Sequence, residues 1–193
     1  MHKRRTLPVV VSIVLFAAAA SAQDKGQTGL TMASPTSLGL LWHASASVAL
    51  RPEFTLQKTS NETTGASSGV SGTSDSWAWG VGVSGLFYVR QWESLRAYVS
   101  PRFAYSRSTT SSQQTISPRN TSVSAESTFN SYLASGSLGA QYSLGRRFAV
   151  FAETGFGYTH TTSSGTSTLG SSSGENHNNS WGTRAGIGAI LYF

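Results

Sequence analysis

A two-residue alternation of apolar and polar side chains runs through most of the chain after residue 37. Between residues 47 and 57, Val48, Leu50 and Phe54 share one face, and Arg51 and Glu53 share the other. This spacing is that of a β-strand with one apolar and one polar face. The alternation predicts seven strands, in the segments 37–44, 47–57, 77–89, 95–106, 131–142, 148–158 and 181–193. Most are about 12 residues long, longer than an average strand.

The predicted connections differ in length and composition. Short turns are expected near Ala46, at 91–94 and at 145–146. Three segments rich in Ser, Thr, Gly and Asn are predicted as long loops: 60–75, 108–128 and 161–179. Short turns at one end and long loops at the other are typical of a transmembrane β-barrel. Because single-chain bacterial barrels have an even number of strands, an eighth strand is predicted at residues 27–33, before Pro35.

Aromatic side chains on the apolar face are spaced as a membrane requires. Trp77 and Phe87, like Tyr132 and Tyr142, are ten residues apart. Ten residues of a tilted strand span about 25 Å, the height of the apolar band of a barrel. The predicted girdle at the long-loop rim comprises Trp77, Trp79, Tyr105, Tyr132, Tyr158 and Trp181, and that at the short-turn rim Trp42, Phe87, Tyr142, Phe148 and Phe193.

A soluble sandwich or lipocalin-like barrel is the alternative to a membrane barrel. Such a fold keeps its apolar side chains inside and its charges outside. Here the face opposite the apolar one carries Gly, Ala and Ser together with Arg and Glu, which suits a narrow polar interior. The pattern therefore favours an all-β fold, an eight-stranded antiparallel up-and-down transmembrane β-barrel formed by residues 23–193.

The N-terminal residues have the pattern of a secretory signal peptide. Lys3, Arg4 and Arg5 precede an apolar run at 7–22 that ends in small residues, so cleavage is predicted before Gln23. The run is shorter than the roughly 20 residues that a membrane-spanning helix needs. The full chain has a net charge of +6, and removal of residues 1–22 leaves eleven basic and eight acidic residues, a net charge of 11 − 8 = +3. The basic balance therefore no longer indicates a nucleic-acid partner.

The composition changes the picture in two further respects. Only 11% of residues are charged, whereas 34 are Ser and 21 are Thr, which is unusual for a soluble enzyme. The chain has no Cys, so an exported domain of this kind cannot depend on disulfides. Closure of a barrel, which pairs every strand edge, is the expected substitute.

The C-terminal residues GIGAILYF resemble the terminal signal that the barrel assembly machinery recognises in Gram-negative outer-membrane proteins. The matching residues are Gly188, Leu191 and the terminal Phe193, whereas Gly186 stands where a polar residue is usual. With the alternating strands, residues 27–193 resemble the small eight-stranded barrels of the OmpA transmembrane-domain and OmpX-like type. The resemblance implies a monomer in the bacterial outer membrane, in contact with membrane lipid and lipopolysaccharide, without a cofactor. The implied role is structural or surface interaction.

The inward face carries a candidate charge cluster of net charge +2, in which the two glutamates are expected to bridge arginines. Its members are Arg51, Glu53, Arg96, Arg102, Glu153 and Arg184. The cluster has two interpretations. It is either an ionic plug that fixes the barrel, or the lining of a narrow, gated, mildly anion-preferring pore.

Three other activities arise from the predicted loops and their rim. The three segments are either solvated, mobile loops or hairpins that extend the sheet into the medium, as in OmpX-like proteins that contact host surfaces, which would make them candidates for adhesion. Lys58, Arg107 and Arg119 are candidates for contact with lipopolysaccharide phosphates. A rim-located lipid-modifying enzyme would use His160, His177, Glu175 and a Ser. Because Ser and Thr are so frequent, a Ser near a His carries little weight, and we predict no enzyme. The histidines lack metal-ligand spacing, so no metal is expected, and His43 is predicted to lie inward or at the rim.

Overall fold

The computed structural model describes residues 25–34, 37–65, 70–116, 121–168 and 170–193. They form eight strands: β1 (Thr28–Ser34), β2 (Ser37–His43), β3 (Val48–Gly65), β4 (Val70–Trp92), β5 (Leu95–Ile116), β6 (Thr121–Ser143), β7 (Phe148–Ser167) and β8 (Gly170–Tyr192). Each strand pairs antiparallel with the next, and β8 pairs with β1 to close the barrel. The predicted fold is confirmed, including the eighth strand before Pro35. The predicted signal peptide, 1–22, lies outside the described residues.

The alternation read from the sequence sorts side chains between the outside and the lumen. Leu138 and Ile187, on the apolar face, are each 66% exposed, whereas Leu41, Ala49 and Ala149, on the other face, are fully buried. The large apolar side chains therefore cover the outer surface, where a soluble protein would carry its charges. The described residues contain no helix long and apolar enough to cross a membrane.

Tight turns join the strands at one end, which we call the short-turn end. The turns occupy residues 44–47, 93–94 and 144–147. The first and third are closed by backbone bonds: the Ser45 amide donates to the Val48 carbonyl at 3.0 Å, and the Leu144 amide to the Phe148 carbonyl at 2.9 Å. The predicted short turns are thus confirmed.

At the opposite end the interpretation of the three segments as loops is wrong, and the alternative of hairpins that extend the sheet agrees with the structure. Most of segments 60–75, 108–128 and 161–179 continues the strands, so β3 to β8 are 18 to 23 residues long. Pairing is maintained as far as Gly65 with Val70 and Ser167 with Gly170. Ser and Thr on both faces remove the apolar signal, but an existing antiparallel ladder needs only backbone groups to continue, and Thr favours strands.

The first hairpin is much shorter than the other three, and this opens the barrel wall. The pairing of β3 with β2 extends only to Phe54 of β3, and the pairing of β8 with β1 extends only to Ile187 of β8. Above these points, within the described ranges, residues 55–65 of β3 and 170–186 of β8 each pair with one neighbouring strand. Strands β3 to β8 therefore continue beyond the barrel as an open six-stranded sheet, which we call the protruding sheet.

Candidate functional site

An ion-pair network crosses the middle of the lumen. The Arg51 Nε donates to Glu53 Oε1 at 2.8 Å, and Arg51 Nη2 lies 2.8 Å from Glu153 Oε1. Arg102 Nη2 lies 2.5 Å from Glu53 Oε2, and the Ser84 hydroxyl donates to Glu53 Oε1 at 3.1 Å. Because β3 and β7 are four strands apart in a ring of eight, the pair of Arg51 with Glu153 joins opposite walls of the barrel.

Only one of the two glutamates departs from the expectation that each bridges arginines. Glu53 joins Arg51 and Arg102. Glu153 pairs with Arg51 and accepts a hydrogen bond of 2.8 Å from the Tyr98 hydroxyl. A phenol takes the place of a second guanidinium here because Tyr98, which is 1% exposed, fills the lumen beside Glu153.

A second layer of buried side chains lies between this network and the short-turn end. The Tyr88 hydroxyl donates to Gln141 Oε1 at 3.0 Å, and Gln141 Nε2 donates to the Tyr192 hydroxyl at 2.8 Å. The His43 ring stacks on Tyr88 with centroids 5.6 Å apart, and the Arg96 guanidinium lies 5.4 Å from the Tyr88 ring centroid. All five side chains are buried. His43 therefore lies inward, one of the two positions predicted for it.

Together the two layers link β2 to β8 across the lumen, and we call them the lumen plug. Arg96 belongs to the aromatic layer rather than to the ion-pair network, so the predicted charge cluster is divided between two levels. The prediction did not include Tyr88, Tyr98, Gln141 and Tyr192. The sequence pattern could have predicted them, because all four are bulky residues at inward positions near the short-turn ends of their strands.

Above the plug the lumen opens into a cavity of about 260 Å³. Its floor includes Arg51, Glu53 and Glu153, and Arg102 and Arg184 stand in its walls. Small residues line most of the remainder: Gly80, Gly82, Ala104, Ser106, Ser131, Ser135, Ser137 and Gly186. Among the residues that the structure describes, Arg184 makes no ion pair within 4.0 Å.

The aromatic side chains predicted at the long-loop rim form rows on the outer surface. Tyr105 lies between Trp79 and Tyr132, with ring centroids 5.6 Å and 5.1 Å away. Trp181 contacts Tyr158 at 4.7 Å between centroids. The Tyr105 and Tyr158 hydroxyls donate to the side chains of Asn130 and Asn179, at 2.9 Å and 2.8 Å. Trp77 is exposed nearby, and at the other rim Trp42, Phe87, Tyr142, Phe148 and Phe193 also face outward.

The structure brings together two histidines that the sequence placed far apart. His160 and His177 stack across β7 and β8 with centroids 5.9 Å apart, just above Tyr158 and Trp181. Glu175 Oε1 lies 3.8 Å from His177 Nε2. Strand pairing creates this contact, which residue spacing does not show. Within the described ranges, no group of three or more His, Cys, Asp or Glu side chains is arranged to hold a metal ion.

The remaining predicted residues lie at the two ends of the barrel. Lys58 and Arg107 are exposed above the barrel body, whereas Arg119 lies outside the described residues. Near the C-terminus, Leu191 and Phe193 face outward. Gly188 lies against the ring of Phe151, which a Cβ at this position would overlap.

No family model matches this chain, and no curated protein sequence matches it significantly. Several solved structures are similar. The major outer membrane protein from Thermus thermophilus is 11% identical with a TM-score of 0.50, over 86% of this chain and 98% of that chain. CarO of Acinetobacter baumannii is 14% identical with a TM-score of 0.43, over 88% of this chain and 98% of that chain. Ail, the attachment invasion locus protein of Yersinia pestis, is 15% identical with a TM-score of 0.39, over 86% of this chain and 94% of that chain.

At this level of identity, the comparison with the Thermus protein shows the fold alone. This chain has the fold of the small eight-stranded outer-membrane β-barrels, the group that its strand pattern and C-terminus resemble.

Proposed function

We propose that this protein is a monomeric integral barrel of the bacterial outer membrane, and that its role is to present the protruding sheet to a partner outside the cell. The single observation that carries this proposal is the continuation of six strands beyond the barrel as an open sheet with two free edges. The barrel body is the anchor in this proposal, and the lumen is filled rather than conducting.

The outer surface supports the membrane location. An apolar band covers the barrel, and its aromatic rows have the position of the girdles that lie at membrane interfaces. Lys58 and Arg107 lie at the level of the upper row, where they pair with Trp77 and Trp79, and lipopolysaccharide phosphates are expected close to this level. Export through the predicted signal peptide and insertion by the barrel assembly machinery, through Gly188, Leu191 and Phe193, belong to the same proposal.

A gel of the outer-membrane fraction tests the anchor. Folded membrane barrels resist detergent, so unboiled and boiled samples should migrate differently. The protein should also remain in the membrane pellet after a carbonate wash. Identical migration together with release by carbonate would contradict the membrane barrel.

The lumen plug supports an anchor over a pore. Arg51 and Glu53 are 4% and 8% exposed, and His43 and Gln141 are fully buried. Ion pairs hold Arg51 and Glu53, hydrogen bonds hold Gln141, and His43 is stacked on Tyr88. Displacing the charged side chains would leave buried charges without partners. Planar-bilayer recordings should show no discrete conductance steps from the wild type or after Glu153→Ala. Regular steps from the wild type would favour the narrow anion-preferring pore.

The protruding sheet has the reach and chemistry of a contact surface. From Tyr158 to Ser167, β7 continues for nine residues beyond the aromatic row, about 30 Å along the strand. Its free edges present backbone donors and acceptors, which can pair with an extended segment of another protein. Polar residues such as Lys58, Glu62 and Glu175 lie on these edges, a feature that limits indiscriminate pairing.

Replacing one hairpin tip tests this role. Thr162 pairs with His177, so residues 163–176 can be replaced by Asn-Gly, the preferred two-residue turn, without changing the register. Bacteria carrying this variant should lose adherence to host cells or extracellular matrix. The control replaces residues 111–126 in the same way, because Thr110 pairs with Ser127 in the central hairpin, away from both edges.

The edge-strand variant should lose more adherence than the control at equal surface amounts. Equal adherence of the wild type and both variants would contradict the surface role. Unchanged gel behaviour of both variants would show that the barrel body folds without either tip.

A further inference from the structure

The lumen cavity has a charge imbalance that the plug does not remove. Three arginines and two glutamates face it: Arg51, Arg102, Arg184, Glu53 and Glu153. Both glutamates are engaged, Glu53 with Arg51 and Arg102 and Glu153 with Arg51 and Tyr98. Arg184 is left without an ion pair among the described residues, so the cavity carries one net positive charge.

Several hydrogen-bond donors of the cavity lining are also unsatisfied by the protein. Arg51 has a side chain 5% exposed, yet its Nη1 lacks a hydrogen-bond partner in the described structure. The same is true of Arg102 Nε and the Ser135 hydroxyl. Buried donors normally have partners. Arg51, Arg102 and Ser135, which carry these donors, line the same cavity as Arg184 of β8, and the donor atoms themselves are buried in its walls.

The size and surroundings of this space limit what can enter it. A volume of about 260 Å³ is below the usual range for a drug-sized ligand. Gly80, Gly82 and Ser106 in its walls lie toward the protruding sheet, and the plug closes the opposite side. A ligand would therefore be small and would enter from the side of the protruding sheet.

We propose that the cavity binds a small monovalent organic anion through its carboxylate, held mainly by Arg184 and Arg102. A planar guanidinium donates two parallel hydrogen bonds to a carboxylate, and this geometry favours arginine as a carboxylate binder. A single negative charge balances the three arginines and two glutamates. Binding here uses a different part of the molecule from the surface role and does not depend on it.

The test is a titration of the folded wild-type barrel in zwitterionic detergent micelles, followed by NMR of the arginine Nε–H signals at constant ionic strength. Acetate is the probe, and acetamide, which has the same shape without the charge, is the matched neutral compound. Acetate should shift the Arg102 and Arg184 signals saturably, and acetamide should not. The same response to both compounds, or no saturable response to acetate, would overturn the proposal.

Two variants then locate the site. Arg184→Gln should weaken acetate binding about tenfold or more, because a charge-assisted pair of hydrogen bonds is lost. Arg146→Gln removes the same group from the exposed short turn at residues 144–147 and should leave the affinity unchanged. Both variants are first shown to migrate as folded barrels in unboiled samples. Equal affinities of the two folded variants would place the anion elsewhere.

Should Arg184→Gln fail to fold, Arg184→Lys keeps the charge and removes the planar fork. It should bind acetate more weakly than the wild type. An affinity equal to that of the wild type would contradict the bidentate geometry, and the acetate and acetamide comparison on the wild type decides the proposal independently of any variant.

Discussion

Truncation of Glu53 to alanine should destabilise the barrel strongly, because this carboxylate is the centre of the lumen network. It accepts from Arg51 and Ser84 and pairs with Arg102, and its side chain is 5% exposed. Its loss leaves Arg102 without an ion pair and Arg51 with Glu153 alone. Removing one partner from a buried ion pair costs about 3–5 kcal/mol, so we expect the free energy of unfolding to fall by about this amount.

The assay is reversible urea unfolding in lipid vesicles, followed by tryptophan fluorescence. Glu175→Ala is the matched control, because its side chain is 63% exposed and lies 3.8 Å from His177. That exposed pair should contribute little measurable stability. A double variant with Arg102→Ala completes a mutant cycle, and the double variant should cost less than the sum of the single ones, with a coupling of about 1–3 kcal/mol.

The reasoning about the network would be refuted by an additive cycle together with a loss below about 1 kcal/mol for Glu53→Ala, since a buried and shared carboxylate must cost more than this when removed. An additive cycle would mean that Glu53 and Arg102 do not interact in the folded barrel, whatever the distance between them.

Two further substitutions test the lumen and the outer surface. Gly139→Ala should lower the free energy of unfolding by about 1–3 kcal/mol, because the added Cβ overlaps the ring of Tyr98. Gly136→Ala is the control on the other face of β6, where an added Cβ meets nothing within 4 Å and should be tolerated. Urea unfolding of both variants checks this, and equal stability of the two would contradict it. Leu138 lies at an outward position and is 66% exposed, so Leu138→Arg should lower the free energy of unfolding in lipid vesicles by about 2–4 kcal/mol if this position faces the bilayer. Ser164→Arg, in the protruding part of β7, should change it little. Equal effects of the two variants would contradict the membrane orientation.

Hydrophobic alternation predicted the barrel body but not the length of its strands. Phe54 and Leu56 mark the outer face because lipid or protein must cover them, and the signal ends where neither face is apolar. The ladder nevertheless continues through Thr110, whose hydroxyl donates to Ser76 at 3.1 Å. Such strands are specified by the register of the hairpin that they extend rather than by burial. A pattern based on hydropathy therefore cannot distinguish them from polar loops.

The charged residues of the lumen could be predicted, whereas their partners could not. Parity places Arg51 and Glu153 on the inward face, but their contact depends on barrel closure, which sets β3 opposite β7. The stack of His160 on His177 likewise depends on the register between β7 and β8. Sequence spacing predicts which face of a strand a residue lies on, but not its height along the barrel relative to residues of a distant strand. These contacts depend on that height.

The level at which an inward residue lies explains why this lumen is closed at one end and open at the other. Bulky inward side chains occur toward the short-turn ends of their strands: Leu41, Tyr88, Tyr98, Phe151 and Tyr192. Small ones occur toward the protruding sheet: Gly80, Gly82, Ser106, Ser131 and Ser135. The two filled layers near the short-turn end already connect the walls of the barrel, so the inward side chains above them need not fill the lumen. That freedom allows the cavity to exist, and it allows the Arg184 guanidinium to stand in the cavity wall without an ion pair among the described residues.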